Sequence, residues 1–182
     1  MGLIIIGAAI VCLMMWVISV RRRLTKMEEN VSRAMSQIGV LLSSRFDAVT
    51  ALLEETRRYA ASESQIIMDT VKSRQSVLTD KSTPEDVKGQ EDVISSVLKG
   101  IDAMAEKHPE IKADETYISA MKAVDSYGKT AGTGRLIYND SVTKLNRELR
   151  MFPTSLLGGM FGFRQRDYLE AVVEKADMPN MK

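Results

Sequence analysis

The chain has 182 residues, of which 45% are hydrophobic and 27% charged, the proportions of a folded protein and not of a disordered one. Its 25 Lys and Arg nearly cancel 24 Asp and Glu, so no overall basic field exists and nucleic acid is not an expected partner. One Cys and one His exclude a disulfide framework and a Cys/His-rich zinc centre. Abundant Ala, Leu, Met, Glu and Lys, with only 4 Pro, predict helices.

From Leu3 to Val20 no residue is charged. A helix of that length covers about 27 Å, close to the hydrocarbon thickness of a bilayer. Arg21, Arg22 and Arg23 follow at once. By the positive-inside rule they face the cytoplasm and anionic headgroups, with the N-terminus outside. A cleaved signal peptide carries its positive charge before the apolar core rather than after it, so residues 1–23 read as a retained single-pass anchor. Cys12 follows Val11 within the apolar run, which is no lipoprotein setting, and it reads as a small apolar residue.

Beyond the arginines, Val31, Ala34/Met35, Ile38, Leu41/Leu42, Val49, Leu52/Leu53, Ile67, Val71 and Leu78 recur every three or four positions. That spacing predicts one long amphipathic helix, with weak spots at Gly39 and Ser43-Ser44 and a stop over Thr79–Ser82. Thr83-Pro84-Glu85-Asp86 reads as a helix start, with Thr83 as N-cap and Pro84 at the first helical position. Val87, Ile94, Val97/Leu98, Ile101 and Met104/Ala105 carry this helix to His108-Pro109, and Asp114 is the next expected cap.

Tyr117, Met121, Val124, Ala131, Tyr138, Val142, Leu145, Leu149 and Phe152 form a near-heptad, coiled-coil-like seam. Gly128, Gly132 and Gly134 lie within it and predict a kink or short break. Pro153 ends the helix, a loop with Gly158, Gly159 and Gly162 follows, and Asp167–Ala176 is expected to form a short last helix. The predicted fold is therefore all-α: an N-terminal transmembrane helix continuing into an antiparallel bundle of three long helices plus a short C-terminal one. Its parts are the anchor over 1–23, the bundle over 24–176 and a tail over 177–182. Charge divides unevenly, at +2 over residues 21–80, −4 over 81–128 and +3 over 129–182.

The stretch from Arg135 through Tyr138-Asn139, Val142, Phe152-Pro153, Leu156, Gly159 and Phe161-Gly162-Phe163 to Tyr168 and Glu170 resembles the signature of the LemA family. Ser36–Leu42, Arg45, Asp47 and Tyr59-Ala60 fit that family's first long helix, and His108–Ala113 looks like its Pro-Glu turn. The resemblance covers roughly residues 24–172. It implies a bacterial membrane-anchored antiparallel bundle with no established catalytic activity. Two departures stand out. The family's Pro-Asn after Asp47 is replaced by Ala48-Val49-Thr50-Ala51, which predicts a straighter first helix. Its acids before Tyr138 are replaced by Thr130–Gly134, so the polar contacts those acids would make are absent.

The segment from Phe152 to Phe163 concentrates apolar mass but is too short to span a bilayer. Two readings stay open for it: the aromatics plug an end of the bundle, or the loop meets the membrane interface or a partner through Phe161 and Phe163, helped by Arg164 and Arg166. Its glycines lack the Gly-Lys-Ser/Thr of a phosphate loop. Tyr138 and Asn139 are expected to secure packing by side-chain hydrogen bonds, and Phe152, Pro153, Gly159 and Gly162 to serve structure.

His108 reads as a surface residue at a helix end. The carboxylate pairs Glu54-Glu55, Glu85-Asp86 and Glu91-Asp92 diverge by about 100° on a helix, so they are not expected to converge on a metal or substrate. Ser155 has no base nearby in sequence. No catalytic residue, metal or cofactor is expected. The partners expected are the lipid bilayer, a second copy of the chain or other membrane proteins, and the expected role is that of a scaffold at the bacterial inner membrane with its bundle in the cytoplasm. The alternative role is that of a membrane-shaping or lipid-binding protein acting through the Phe-Gly-Phe loop and its basic flanks.

Overall fold

A computed structural model describes residues 1–170, the side chain of Leu3 apart. Helices are the regular structure of these residues, with no strand among them. The first helix, α1, runs from Gly2 to Thr56 without interruption, so the apolar stretch and the first bundle helix are one rod of about 82 Å. No break occurs at Gly39 or Ser43-Ser44, and the helix is continuous through Asp47–Leu52, where no proline intervenes. Ile4, Ile5, Ile6, Ile10, Val11, Leu13, Met14, Met15, Trp16 and Ile18 are exposed all round it. Leu24 is the first fully buried residue, and from there one stripe of α1 enters a core.

The rod ends well before the expected stop at Thr79. At Thr56 the buried hydroxyl bonds the Leu53 carbonyl at 2.8 Å and Ser64 Oγ at 2.9 Å, tying the end of one helix to the start of the next. The chain turns through 57–60 into α2 (Ala61–Arg74), which runs back along α1. The following segment passes so close to α1 that a Cβ on Gly39 would lie 2.8 Å from the Leu78 carbonyl oxygen. Gly39 is therefore a point of close approach and not a point of weakness. Gln90 closes α2 by accepting from Ser76 N at 2.8 Å and donating to the Arg74 carbonyl.

The third helix, α3 (Pro84–Lys107), begins as the sequence predicts. Thr83 accepts from Asp86 N, and the Asp86 carboxylate returns the bond to Thr83 N at 2.8 Å, a reciprocal capping box. Those bonds from Thr83 hold the Asp86 carboxyl below its ordinary range. A short 3₁₀ turn over Pro109–Ala113 leads to Asp114, whose Oδ1 accepts from Thr116 N at 2.8 Å and opens α4 (Glu115–Arg150). Tyr59 donates to the other oxygen of Asp114 at 2.9 Å. That bond first, and the backbone bonds second, depress the Asp114 carboxyl, while the same bond raises the Tyr59 phenol.

α4 is unbroken across Gly128, Gly132 and Gly134, against the expected kink. Its glycines are tolerated because α4 packs along α1 for most of its length, and tertiary packing outweighs a cost of about 1 kcal/mol per glycine. The register is antiparallel: Arg23 pairs with Glu148, Gly134 faces Ile38 and Leu41, and Gly128 faces the Arg45 guanidinium. Thirty-six residues of α4 give about 54 Å, the length of α1 left beyond the apolar stretch. The helices thus run up, down, up and down, joined by short turns.

Candidate functional site

The end of the bundle nearest the apolar stretch is built by α4 returning to the arginines of α1. Glu148, almost buried, receives Arg23 at 3.1 Å and the Thr154 hydroxyl. After Phe152-Pro153 the expected loop contains a helix, α5 (Thr154–Met160). α5 seats itself through Gly158, where a Cβ would meet Leu149 Cδ2 at 2.7 Å and come within 3.9 Å of Leu24 Cδ1.

Its C-terminus explains the Phe-Gly-Phe sequence. Phe163 N donates to the Gly158 carbonyl at 3.0 Å and Gly162 N to the Gly159 carbonyl at 3.2 Å, a Schellman closure that needs the left-handed residue Gly162 supplies at φ 79°. The two phenylalanines part there: Phe163 packs against the core, while Phe161 lies under the Arg21 guanidinium, 5.4 Å from its ring centre.

The rest of this end is not a plug. Phe152, expected in the seam, is 80% exposed, Met160 79% and Leu156 63%. Past Arg150 the helical register ends, so Phe152 leaves the stripe that Leu145 and Val142 occupy. Arg22, Arg164 and Gly159 are exposed. Arg166 is exposed too, and its guanidinium also binds Glu28 on α1 at 2.9 Å.

From Phe163 the chain runs back along α4 as a non-helical strap. Asn146 brackets the backbone of Arg166, donating to its carbonyl at 2.8 Å and accepting its N–H at 2.9 Å. One heptad earlier, Asn139 does the same to Leu169 at 2.8 and 2.9 Å, and the Tyr138 hydroxyl donates to the Asp167 carbonyl at 3.1 Å. Burial pushes that phenol up. These bonds take the backbone groups that a helix over Asp167–Glu170 would need, so that part of the expected last helix is absent; 171–176, and the tail over 177–182, lie outside the described residues. Asn146 was not singled out from sequence, although an Asn seven residues after Asn139 within an apolar stripe is a detectable signal.

A second feature lies on the other side of α4. α3 and α4 both pack on α1 yet barely meet each other. Between them runs a cleft of about 880 Å³, floored by Arg45 of α1 and bordered by the strap. Arg135 and Glu91 pair across it, their side chains each 13% exposed, and Lys88 reaches Glu170 at 3.2 Å nearer the surface. Burial first, and then the neighbouring Arg45 charge, lower the Arg135 pKa. Glu85, Glu91 and Asp92 all border this cleft, since an opening this wide can be flanked by residues about 100° apart on one helix. Among the described residues no group of three or more His, Cys, Asp or Glu is poised for a metal. His108 is remote from the cleft residues in the fold, at the α3–3₁₀ junction, 3.3 Å from Glu110.

No curated protein matches the chain. The sequence model of the LemA family matches residues 34–182, from the buried stripe of α1 at Ala34 through the paired helix, α5 and the strap, and the chain belongs to the LemA family.

Proposed function

We propose that this LemA-family chain is a single-pass protein of the bacterial inner membrane whose bundle stands on the cytoplasmic side as a non-catalytic scaffold for a second copy or for other membrane proteins. The observation that carries the anchoring is the apolar face exposed all round α1 before Arg21. A helix apolar on every side and, up to Trp16, exposed all round calls for lipid or partner helices. Because α1 does not break, the anchor sets the position of the bundle directly.

A specific observation favours a second contact with the bilayer. Phe152, Leu156 and Met160 are exposed at the level of Arg21 and Arg23, where α1 would leave the hydrocarbon. Apolar side chains beside a basic collar suit the headgroup boundary, and burying them there adds a second attachment that limits the swing of the bundle.

The test uses full-length protein in vesicles, with Met160→Cys in a Cys12→Ser background carrying an environment-sensitive label. Lipids brominated near the headgroup quench a label at Met160 and leave one at Val77→Cys, exposed on the α2–α3 connection, unaffected. Equal quenching at both sites, or none at Met160, refutes the second contact. Digestion of the bundle by protease added outside intact spheroplasts refutes the orientation.

A further inference from the structure

The two ends of the bundle carry opposite charge. At the end beside the apolar stretch, residues 21–30 and 144–167 hold nine Lys and Arg against four Asp and Glu, an excess of five positive charges. At the other end, where Tyr59 meets Asp114, residues 52–64 and 102–116 hold eight Asp and Glu against four Lys and Arg, an excess of four negative charges. About 50 Å of helix separates the two, several times the Debye length at physiological salt. The acids therefore do not cancel the field at the basic end.

Within the basic end the acids are unevenly shared. Arg23 holds Glu148 and Arg166 holds Glu28. Along α1, Arg21, Arg22 and Lys26 are exposed, and among the described residues none of the three is in an ion pair. With Ile18 and Thr25 they line a hollow of about 600 Å³. Glu29 and Arg33 border it farther along the helix, where their charges offset each other. The hollow thus runs from an apolar residue at the edge of the span to three cations and a hydroxyl, the order in which a phospholipid presents acyl chain and phosphate. A zwitterionic headgroup would bring its own ammonium to these cations, whereas an anionic one brings none.

We propose that this hollow holds the headgroup of an anionic phospholipid, with an acyl chain along Ile18 and the phosphate among Arg21, Arg22 and Lys26. The assignment rests on the membrane anchoring proposed above and names the lipid that meets the anchor. Guanidiniums match phosphate oxygens in paired hydrogen bonds, and basic residues clustered at the end of a span attract anionic lipid.

Trp16, the chain's only Trp, lies two residues from Ile18 and serves as the reporter. Full-length protein is placed in phosphatidylcholine vesicles containing the same small fraction of acyl-brominated phosphatidylglycerol or acyl-brominated phosphatidylcholine, and the quenching of Trp16 is compared. Phosphatidylglycerol associates at least about threefold more strongly. Arg22→Gln with Lys26→Gln at least halves that ratio. Lys107→Gln with Lys112→Gln, the same loss of charge at the acidic end, leaves it unchanged. Equal quenching by the two lipids overturns the proposal and leaves the anchoring standing, whereas no quenching by either refutes the anchoring and this site with it. An equal fall in both double variants reduces the preference to net charge and overturns the site. Loss of the preference in millimolar inorganic phosphate, with chloride at the same ionic strength without effect, marks a site for free phosphate and overturns the lipid assignment.

Discussion

The two flanks of α4 are made from the same helix and behave as different materials. Toward α1 it presents Val124, Ala131, Tyr138, Val142 and Leu145, all buried, with Gly134 admitting Ile38 and Leu41. Toward α3 it presents Gly128, Lys129, Gly132 and Arg135 to a charged cleft. Burial of apolar surface stabilises the first flank at about 25 cal/mol per Å². The second is spanned by ion pairs, whose attraction is largely offset by desolvation and screening. A helix that owes its place to one flank leaves the other free to hold polar groups apart.

The largest effect expected from this contrast is a loss in the seam with no counterpart across the cleft. Ile38, fully buried opposite Gly134, costs about 2–5 kcal/mol when truncated to Ala. Lys88→Ala, which removes an exposed pair spanning the cleft, costs about 0–1 kcal/mol. Urea titration of the full-length protein in detergent measures both. Equal losses would mean that α3 and α4 support each other through the cleft, and the distinction between the flanks would fail.

An intermediate effect is expected where the strap crosses α4. Asn146 is 3% exposed and satisfies both backbone groups of Arg166, so Asn146→Ala leaves them without that partner at about 1–3 kcal/mol. The loss is local: amide exchange at Arg166 accelerates, while amides in the α1–α4 seam keep their protection. Uniform acceleration across the bundle would make the strap part of the global core.

How much of this was legible beforehand follows from the physics of each feature. The caps at Thr83 and Asp114 and the stripes of α1, α3 and α4 were readable because propensity, dipole and periodicity are local. The end of α1 at Thr56 was not, since it depends on a hydroxyl meeting Ser64 of the next helix while the apolar spacing continues past it. Tyr138, Asn139 and Gly162 stood out as motif residues, but what they hold, a strap and a helix closure, is a matter of hydrogen bonds to distant backbone. The cleft was hidden for a further reason. Arg45, Glu91 and Arg135 come from three helices, and only the failure of α3 to meet α4 brings them to one opening.

The smallest effect gives the sharpest comparison, because it uses two glycines two residues apart. Gly132 and Gly134 sit on opposite faces of α4, one at the cleft and one in the seam. Alanine at either position gains about 0.5–1 kcal/mol from restricting the unfolded chain and from helix propensity. At Gly132 nothing lies within 4 Å of the new methyl, so the gain is kept whole and the melting temperature rises. At Gly134 the methyl would sit 3.3 Å from both Ile38 Cγ1 and Leu41 Cδ1, a crowding that displaces packed side chains and cancels the gain or reverses it. Melting curves of the two single variants and of the double variant decide the matter. A rise for Gly132→Ala alone marks one flank as packed and the other as open, whereas equal rises would show that the seam yields as readily as the cleft.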